Sequence, residues 1–482
     1  MLSLIVSIVF PILCVCIILS FFLSRQFPRK YGTILNTSLS VGLVLGISSC
    51  TFFLWLYFLG FPSTNYHVIE NILAVILIPI AFYTSKYQKA TGCNQETGSD
   101  YKIYLRILNI AALMIIVCFV VAFLLKSAIN PHGWEDAWGM WNLKARFLFR
   151  GGDNWRVAFS NALFWTSRDY PLLVPISIVR IWSYLKNDSA IVQTIVAGLF
   201  TFSTVALLIS SLSVIRSRST GLLAGLVLVG SRYFIKTGAY QIADVPLAFY
   251  ILSTIVLFSL KETSDSQSRC LILAGAMAGL ASWTKNEGVL FLFVVIIVRM
   301  IVISSDRGIK AYSKELAMFA IGVLPILAVL FLFKLKIPST NELLTGQSMN
   351  TVLARLMDFT RYLIIGKSFI VFFYDKLAKE WLIILPIYFF LFGKTKQHVN
   401  EESIRTAVLI VFFMIGGYFF IYLITPLNLQ WHIDTSIWRL FLQLWPTIIF
   451  SFFLVAATPE ELFSKKETQR RRRRDIELDN KT

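Results

Sequence analysis

Carboxylates set beside basic and aromatic side chains supply acid–base and phosphate chemistry, and this chain crowds them into one stretch. Gly133 to Pro175 reads GWEDAWGMWNLKARFLFRGGDNWRVAFSNALFWTSRDYPLLVP between long apolar runs. Glu135 and Asp136 stand side by side in it, followed by Lys144, Arg146 and Arg150 and interleaved with Trp134, Trp138 and Trp141. A carboxylate that is partly desolvated against aromatic walls gains basicity and can take a proton from an attacking hydroxyl. Asp136 could also cap the helix that follows, accepting backbone N–H bonds at the positive end of the dipole. Capping and catalysis are compatible. The Glu135–Asp136 pair could bind a divalent cation as well, but two adjacent residues have no ligand spacing that decides the matter.

The basic and aromatic residues have an ordinary reading as interfacial anchors; it is their density that suggests a site. From Trp138 to Arg150 the pattern predicts a helix. At about 100° per residue, Trp138, Trp141, Ala145, Leu148 and Phe149 share one face and Met140, Leu143 and Phe147 the opposite one. Arg146 and Arg150 then lie along one flank and Lys144 along the other. A helix apolar on two sides is expected between membrane surface and protein, with its cations at the depth of lipid phosphates.

Three more polar clusters sit at the ends of apolar runs. Asp244 stands in AYQIADVPLAF, Lys285, Asn286 and Glu287 in SWTKNEGVLF, and His432, Asp434 and Arg439 in LQWHIDTSIWRLFLQLWP. Ionisable groups at membrane depth are costly and usually mark function, although each can simply pair with a neighbour, as Lys285 can with Glu287.

The elements that must position these residues are membrane helices. Hydrophobic residues make up 56% of the 482, with 41 phenylalanines and a mean hydropathy of +0.69, more apolar surface than a water-soluble fold can hide. The chain reads as an all-α polytopic membrane protein. The formal charge is +18, and the basic residues sit mostly in short loops between apolar runs, which fits the positive-inside rule rather than nucleic-acid binding. Cys14, Cys16, Cys50 and Cys118 lie inside apolar runs, Cys270 at the edge of one and Cys93 in a polar loop, so neither a disulfide framework nor a zinc site is indicated. The first run, Ser3 to Ser24, lacks the basic start and cleavage site of a signal peptide and reads as a retained span.

About 13 spans are expected: 3–24, 36–60, 68–84, 104–126, 190–212, 219–236, 245–260, 270–284, 288–304, 316–333, 380–393, 406–424 and 438–457. Basic loops then recur at every second crossing and can all be cytoplasmic, with the amino terminus and residues 127–188 outside. The carboxyl terminus, carrying Arg470 to Arg474, falls inside, where its charge would hold it to anionic lipid. Tyr170 to Leu185 is expected as a half-buried or re-entrant helix on the outer side, and Lys334 to Lys379 as an external segment. The resulting division is a four-span region (1–126), an outer catalytic loop (127–188), a nine-span core (189–457) and a basic tail (458–482).

The loop GWEDAWGMWNLKARFLF followed by SRDYPLLVP, with ADVPLAF, WTKNEG and the final WH with a downstream Arg, resembles the bacterial branch of the GT-C glycosyltransferases, relatives of the lipid A aminoarabinose transferase and the protein O-mannosyltransferases. The resemblance covers roughly Gly133 to Pro446. It implies a GT-C-like fold in the bacterial cytoplasmic membrane, an active site on the outer side, and a polyprenyl-phosphate sugar as donor. Carried over by position, Asp136 becomes the catalytic carboxylate and Lys144 and Arg146 contacts to the lipid phosphate. Glu135, Asp169, Asp244, Lys285, Glu287, His432 and Arg439 become candidates for substrate binding. The sequence departs from the family in placing three extra spans before the first large outer loop and in showing no large soluble carboxyl-terminal domain.

The implied reaction is direct displacement. Asp136 would deprotonate a hydroxyl of a glycan, lipid or protein acceptor and orient it behind the anomeric carbon, while Lys144, Arg146 or Lys285 neutralises the departing phosphate. A metal is not required if basic side chains do this. Two other classes fit a many-span protein: a lipid-linked glycan polymerase or ligase, which joins diphosphate-linked glycans, and a lipid or glycan transporter, which should carry ionisable residues near span midpoints and internal repeats.

Overall fold

The computed structural model describes residues 2–23, 29–62, 64–85, 99–261, 267–337, 347–374, 381–395, 401–457, 459 and 461. The Arg470–Arg474 run and several basic loop residues used to assign orientation, among them Arg25, Lys86, Lys89 and Lys396, lie outside these.

The described chain is helical, and its only β feature is an isolated bridge between Lys394 and Ala456. Leu2–Leu4 (α1) continues through a π-helical stretch, Ile5–Val9, into Phe10–Leu23 (α2). There follow Arg29–Leu59 (α3), Thr64–Ser85 (α4), Ser99–Ile129 (α5), Asn142–Gly151 (α6) and Leu173–Leu185 (α7). Next come Ala190–Ile215 (α8), Arg218–Val229 (α9), Arg232–Ala239 (α10), Asp244–Lys261 (α11), Gln267–Thr284 (α12) and Asn286–Arg307 (α13). The last are Ile309–Lys336 (α14), Met349–Met357 (α15), Phe359–Phe372 (α16), Trp381–Phe392 (α17), Glu401–Ile424 (α18) and Leu429–Val455 (α19).

Nine described helices are long and apolar enough to cross a membrane, or ten if α9 and α10, bent by 68° at their junction, count as one. This is an integral membrane protein, since in lipid only helices and closed barrels satisfy their own backbone. The four remaining expected spans are not among the nine. Residues 219–236 are the bent pair, 270–284 belongs to α12, which carries polar residues at both ends, and the apolar parts of α4 and α17 are short.

Helix α11 forms the centre, with every one of its residues buried. It packs on α12, α19 and α8. Beside it α12 and α14 approach closely because glycine lies at the contact: a Cβ on Gly275 would sit 2.0 Å from the Phe319 carbonyl, and one on Gly322 1.9 Å from that of Ile272. Small residues at such crossings let backbones meet where no hydrophobic driving force separates helix from lipid.

Two polar layers define the ends of the bundle. At one end Lys261 of α11 donates to Glu315 of α14 at 2.7 Å and Glu402 of α18 at 2.9 Å, and Arg299 of α13 donates to the same two carboxylates. Taking charge out of water is costly unless it is fully paired, and here four helices share one buried network. The opposite ends of those helices, Asp244, Asn286, Lys334 and Tyr422, gather around the Asp136 loop.

Helix α7 is 13 residues long, about 20 Å, too short for a hydrocarbon core of about 30 Å. It is enclosed by protein from Leu173 to Ser183. Its Arg180 binds Glu70 of α4 at 2.8 Å and the Ser7 carbonyl at 2.8 Å, which ties the first helices to the core. Within the stretch expected to be external, Lys334 to Lys379, α16 lies along α19, with Phe369 and Phe372 packed on Phe441. One face of α16 meets that helix while Leu363 and Ile370 stay exposed, so its apolar residues are used on both sides.

Candidate functional site

The loop after α5 is fixed before it reaches Asp136. Gly133 has φ +80°, and a Cβ there would come within 2.5 Å of both the Tyr240 carbonyl and the Ala137 side chain. Glycine alone accepts this backbone without strain. Trp134 then stacks on Tyr240 at 4.9 Å. Asn142 donates to Gln241 at 2.8 Å, and Gln241 in turn donates to the Pro131 carbonyl and to Thr194. The loop is thus bolted to the turn between α10 and α11.

Ala137–Trp141 forms a π-helical turn leading into α6. Its wider spacing breaks the expected register: Trp141 and Met140 are buried while Trp138 stands exposed. Trp138 therefore leaves the face it was expected to share with Trp141. Asp136 precedes this turn in helical conformation and makes no capping hydrogen bond. Its Oδ2 instead accepts from Arg439 Nη1 of α19, and its side chain is 41% exposed.

Asp136 borders a cavity of about 750 Å³. Glu135, Asp136, Asp169, Lys285, Glu287, His432 and Arg439 line it, and Trp138, Trp165 and Trp431, all exposed, stand at its wall. His432 bonds Thr425 through Nδ1 at 3.0 Å. The Arg439 Nε is buried with no partner, a spare donor for an anion. The structure thus brings into one cavity residues separated by up to about three hundred positions.

Three other candidates do not line it. Asp244, 1% exposed, accepts from Lys285 at 3.0 Å and from Gln443 at 2.6 Å. It supports Lys285 from behind. Lys285 also pairs with Glu287 at 2.9 Å. Burial alone would push the Lys285 ammonium down, but Asp244 and Glu287 outweigh it and hold the group well above its ordinary range. Glu287 Oε2 is buried without a partner. The Glu287 charge, followed by burial, raises the Tyr170 phenol beside it.

Lys144 is the clearest departure from its expected place at phosphate depth. It is 1% exposed and donates to the Ser167 carbonyl at 3.0 Å, because the π-turn rotates its side chain into the loop. Burial lowers its ammonium to about 7, offset in part by Asp169. Its bond secures the turn at Ser167, which has φ +46° and leads to Asp169. Asp169 accepts from Asn286 at 2.7 Å, and its carbonyl accepts from Lys334. Arg146 points elsewhere, towards Asp188 at 3.9 Å and His132 at 3.4 Å.

Sequence reasoning missed Gln241, Asn142, Gln443 and Lys334, which position the cavity residues. Gln443, a lone amide within the apolar LFLQLWP, was the readable signal; Asn142 and Gln241 act over a contact that no local pattern marks. Among the described residues no group of three or more His, Cys, Asp or Glu could hold a metal ion.

Residues 169–332 match the family described as dolichyl-phosphate-mannose-protein mannosyltransferase, which belongs to the GT-C superfamily of membrane glycosyltransferases. The matched segment contains Asp169, Asp244, Lys285 and Glu287; Asp136 and Arg439 lie on either side of it. The match supports a membrane glycosyltransferase that uses a lipid-linked sugar donor. No curated protein and no solved structure matches the chain.

Proposed function

From the premise of a membrane glycosyltransferase with a lipid-linked donor, we propose that the chain transfers a sugar from a polyprenyl-phosphate carrier to an envelope glycan, lipid or protein acceptor. The reaction takes place at the outer face of the bacterial cytoplasmic membrane, with the carboxyl terminus in the cytoplasm. The observation that carries this reading is Asp136: a carboxylate not used as a cap, set in a cavity and held by an arginine that has a further free donor.

The donor phosphate enters beside Arg439 and competes with Asp136 for its guanidinium, whose fork suits phosphate oxygens. Asp136, released from that pair, accepts the proton of the acceptor hydroxyl. The hydroxyl oxygen attacks the anomeric carbon as the bond from that carbon to the phosphate oxygen breaks, so the configuration inverts and the prenyl phosphate leaves with the electron pair. Arg439 and Lys285 stabilise the charge that develops on it. Trp138, Trp165 and Trp431 offer apolar faces to the sugar and to the start of the prenyl tail.

The test is transfer of label from radiolabelled polyprenyl-phosphate sugars to envelope acceptors by membranes holding equal amounts of wild type, Asp136→Asn or Arg439→Gln. Asp136→Asn is expected to lower the rate about 10²–10⁴-fold, the span typical of a lost general base. Arg439→Gln should raise KM for the donor as well as lower kcat. Full activity in Asp136→Asn would remove Asp136 as the base, and transfer only from diphosphate-linked donors would favour the polymerase reading.

A further inference from the structure

The first turns of α19 have two working faces. His432 and Arg439 look into the cavity described above, while Ile433, Asp434, Ile437 and Trp438 border a second one of about 710 Å³, closed by α10 and α16. Into this second cavity come Lys236 from the last turn of α10 and Lys367 from the middle of α16. Lys236 lies 5.4 Å over the Tyr240 ring and 5.9 Å from that of Trp134. Among the described residues neither ammonium has an ion-pair partner; Asp434, which accepts from Gln430 at 2.9 Å, keeps its charge, so two ammoniums share the cavity with one carboxylate.

Lys367 is the more informative of the two. It sits in FTRYLIIGKSFIVF, eight residues beyond Phe359 and so about 12 Å along the helix at 1.5 Å per residue. The start of that helix is set at the site end of the bundle by Arg361, which donates to the Tyr422 carbonyl at 2.9 Å. A lysine carried this far into an apolar helix, exposed and in no ion pair among the described residues, is costly unless its cavity supplies water and a counter-ion. The nearby apolar wall, Ile364, Val371 and Phe372, adjoins the exposed Ile370 and suits a hydrocarbon chain. The counter-ion that fits both halves is anionic at its head and apolar behind.

We infer that the cavity between α10, α16 and α19 is a second binding site, for the phosphate headgroup of a membrane lipid held by Lys236 and Lys367. Ammonium groups act as point charges towards phosphate, so a polyprenyl phosphate and an ordinary anionic phospholipid share the required chemistry. The Trp134–Tyr240 stack and the first turns of α19 separate this site from Asp136. The inference does not rest on the glycosyltransferase reading.

The experiment counts lipids retained by the purified full chain in native mass spectrometry. Phosphatidylcholine carriers are doped with phosphatidylglycerol in one arm and polyprenyl phosphate in the other. Wild type is compared with Lys236→Gln, Lys367→Gln, the double Gln variant, a double Arg variant that keeps both charges, and Arg439→Gln. In at least one arm the double Gln variant should bind one anionic lipid fewer, or about tenfold more weakly, while the double Arg protein keeps that lipid, as does Arg439→Gln in the phosphatidylglycerol arm. The arm that responds identifies the source. Equal retention by wild type and the double Gln variant in both arms overturns the site, as does loss of phosphatidylcholine to the same extent. Should the double Gln protein fail to fold, the two single variants decide by the same criterion.

Discussion

Lys144 offers a test of the loop that needs no substrate. Replacing it with methionine keeps the volume and removes the charge. In the folded chain burial takes its ammonium from 10.5 to about 7, a gap worth about 5 kcal/mol at about 1.4 kcal/mol per pH unit. The folded value is the lower one, so between about pH 7 and 10.5 the unfolded chain holds a proton that the folded chain has released. Lys144 therefore makes stability rise with pH across that window, by about 1.4 kcal/mol per unit, and below pH 7 its full penalty remains. In Lys144→Met that contribution is gone, along with about 1 kcal/mol from the bond to Ser167. Thermal unfolding in detergent, followed by tryptophan fluorescence between pH 6.5 and 9.5, gives the comparison. The advantage of the methionine variant should be greatest near pH 7 and shrink as pH rises. A difference between the two proteins that is constant, or that grows with pH, would refute a lysine buried against its own charge.

Two further outcomes concern the supports of the cavity. Lys285→Met leaves Asp244 and Glu287 facing each other without their shared cation and should cost about 3–5 kcal/mol; adding Asp244→Asn and Glu287→Gln should restore most of it, as read by unfolding temperature. A single variant within about 1 kcal/mol of wild type would mean that the three groups do not form a closed network. Gly133→Ala forces a left-handed backbone and a clash with the Tyr240 carbonyl, so a loss of about 1–3 kcal/mol should accompany lost transfer activity. Gly139→Ala, where a Cβ meets nothing within 4 Å, should keep its stability.

Hydropathy and charge were enough to determine the solvent and the general plan. Nine described helices that can span the membrane are readable as apolar runs because lipid leaves a backbone few alternatives. The Gly133–Pro175 stretch stands out by contrast with its surroundings, and Asp136, Lys285 and Arg439 by the cost of placing charge near lipid. Which way each side chain points was decided by tertiary structure. A π-turn at Ala137–Trp141 shifts the helical register, which buries Lys144 and exposes Trp138, and helical periodicity read at a constant angle does not register such a turn. α16 falls in a stretch that the alternation of spans puts outside, and its packing on Phe441 of α19 is a contact that hydropathy does not mark. Asp136 meets Arg439 across 303 positions, and Asn142 meets Gln241 across 99. Partners so distant are chosen by how the helices pack, and packing depends on the shape of every neighbour at once, whereas hydropathy depends on each residue nearly alone.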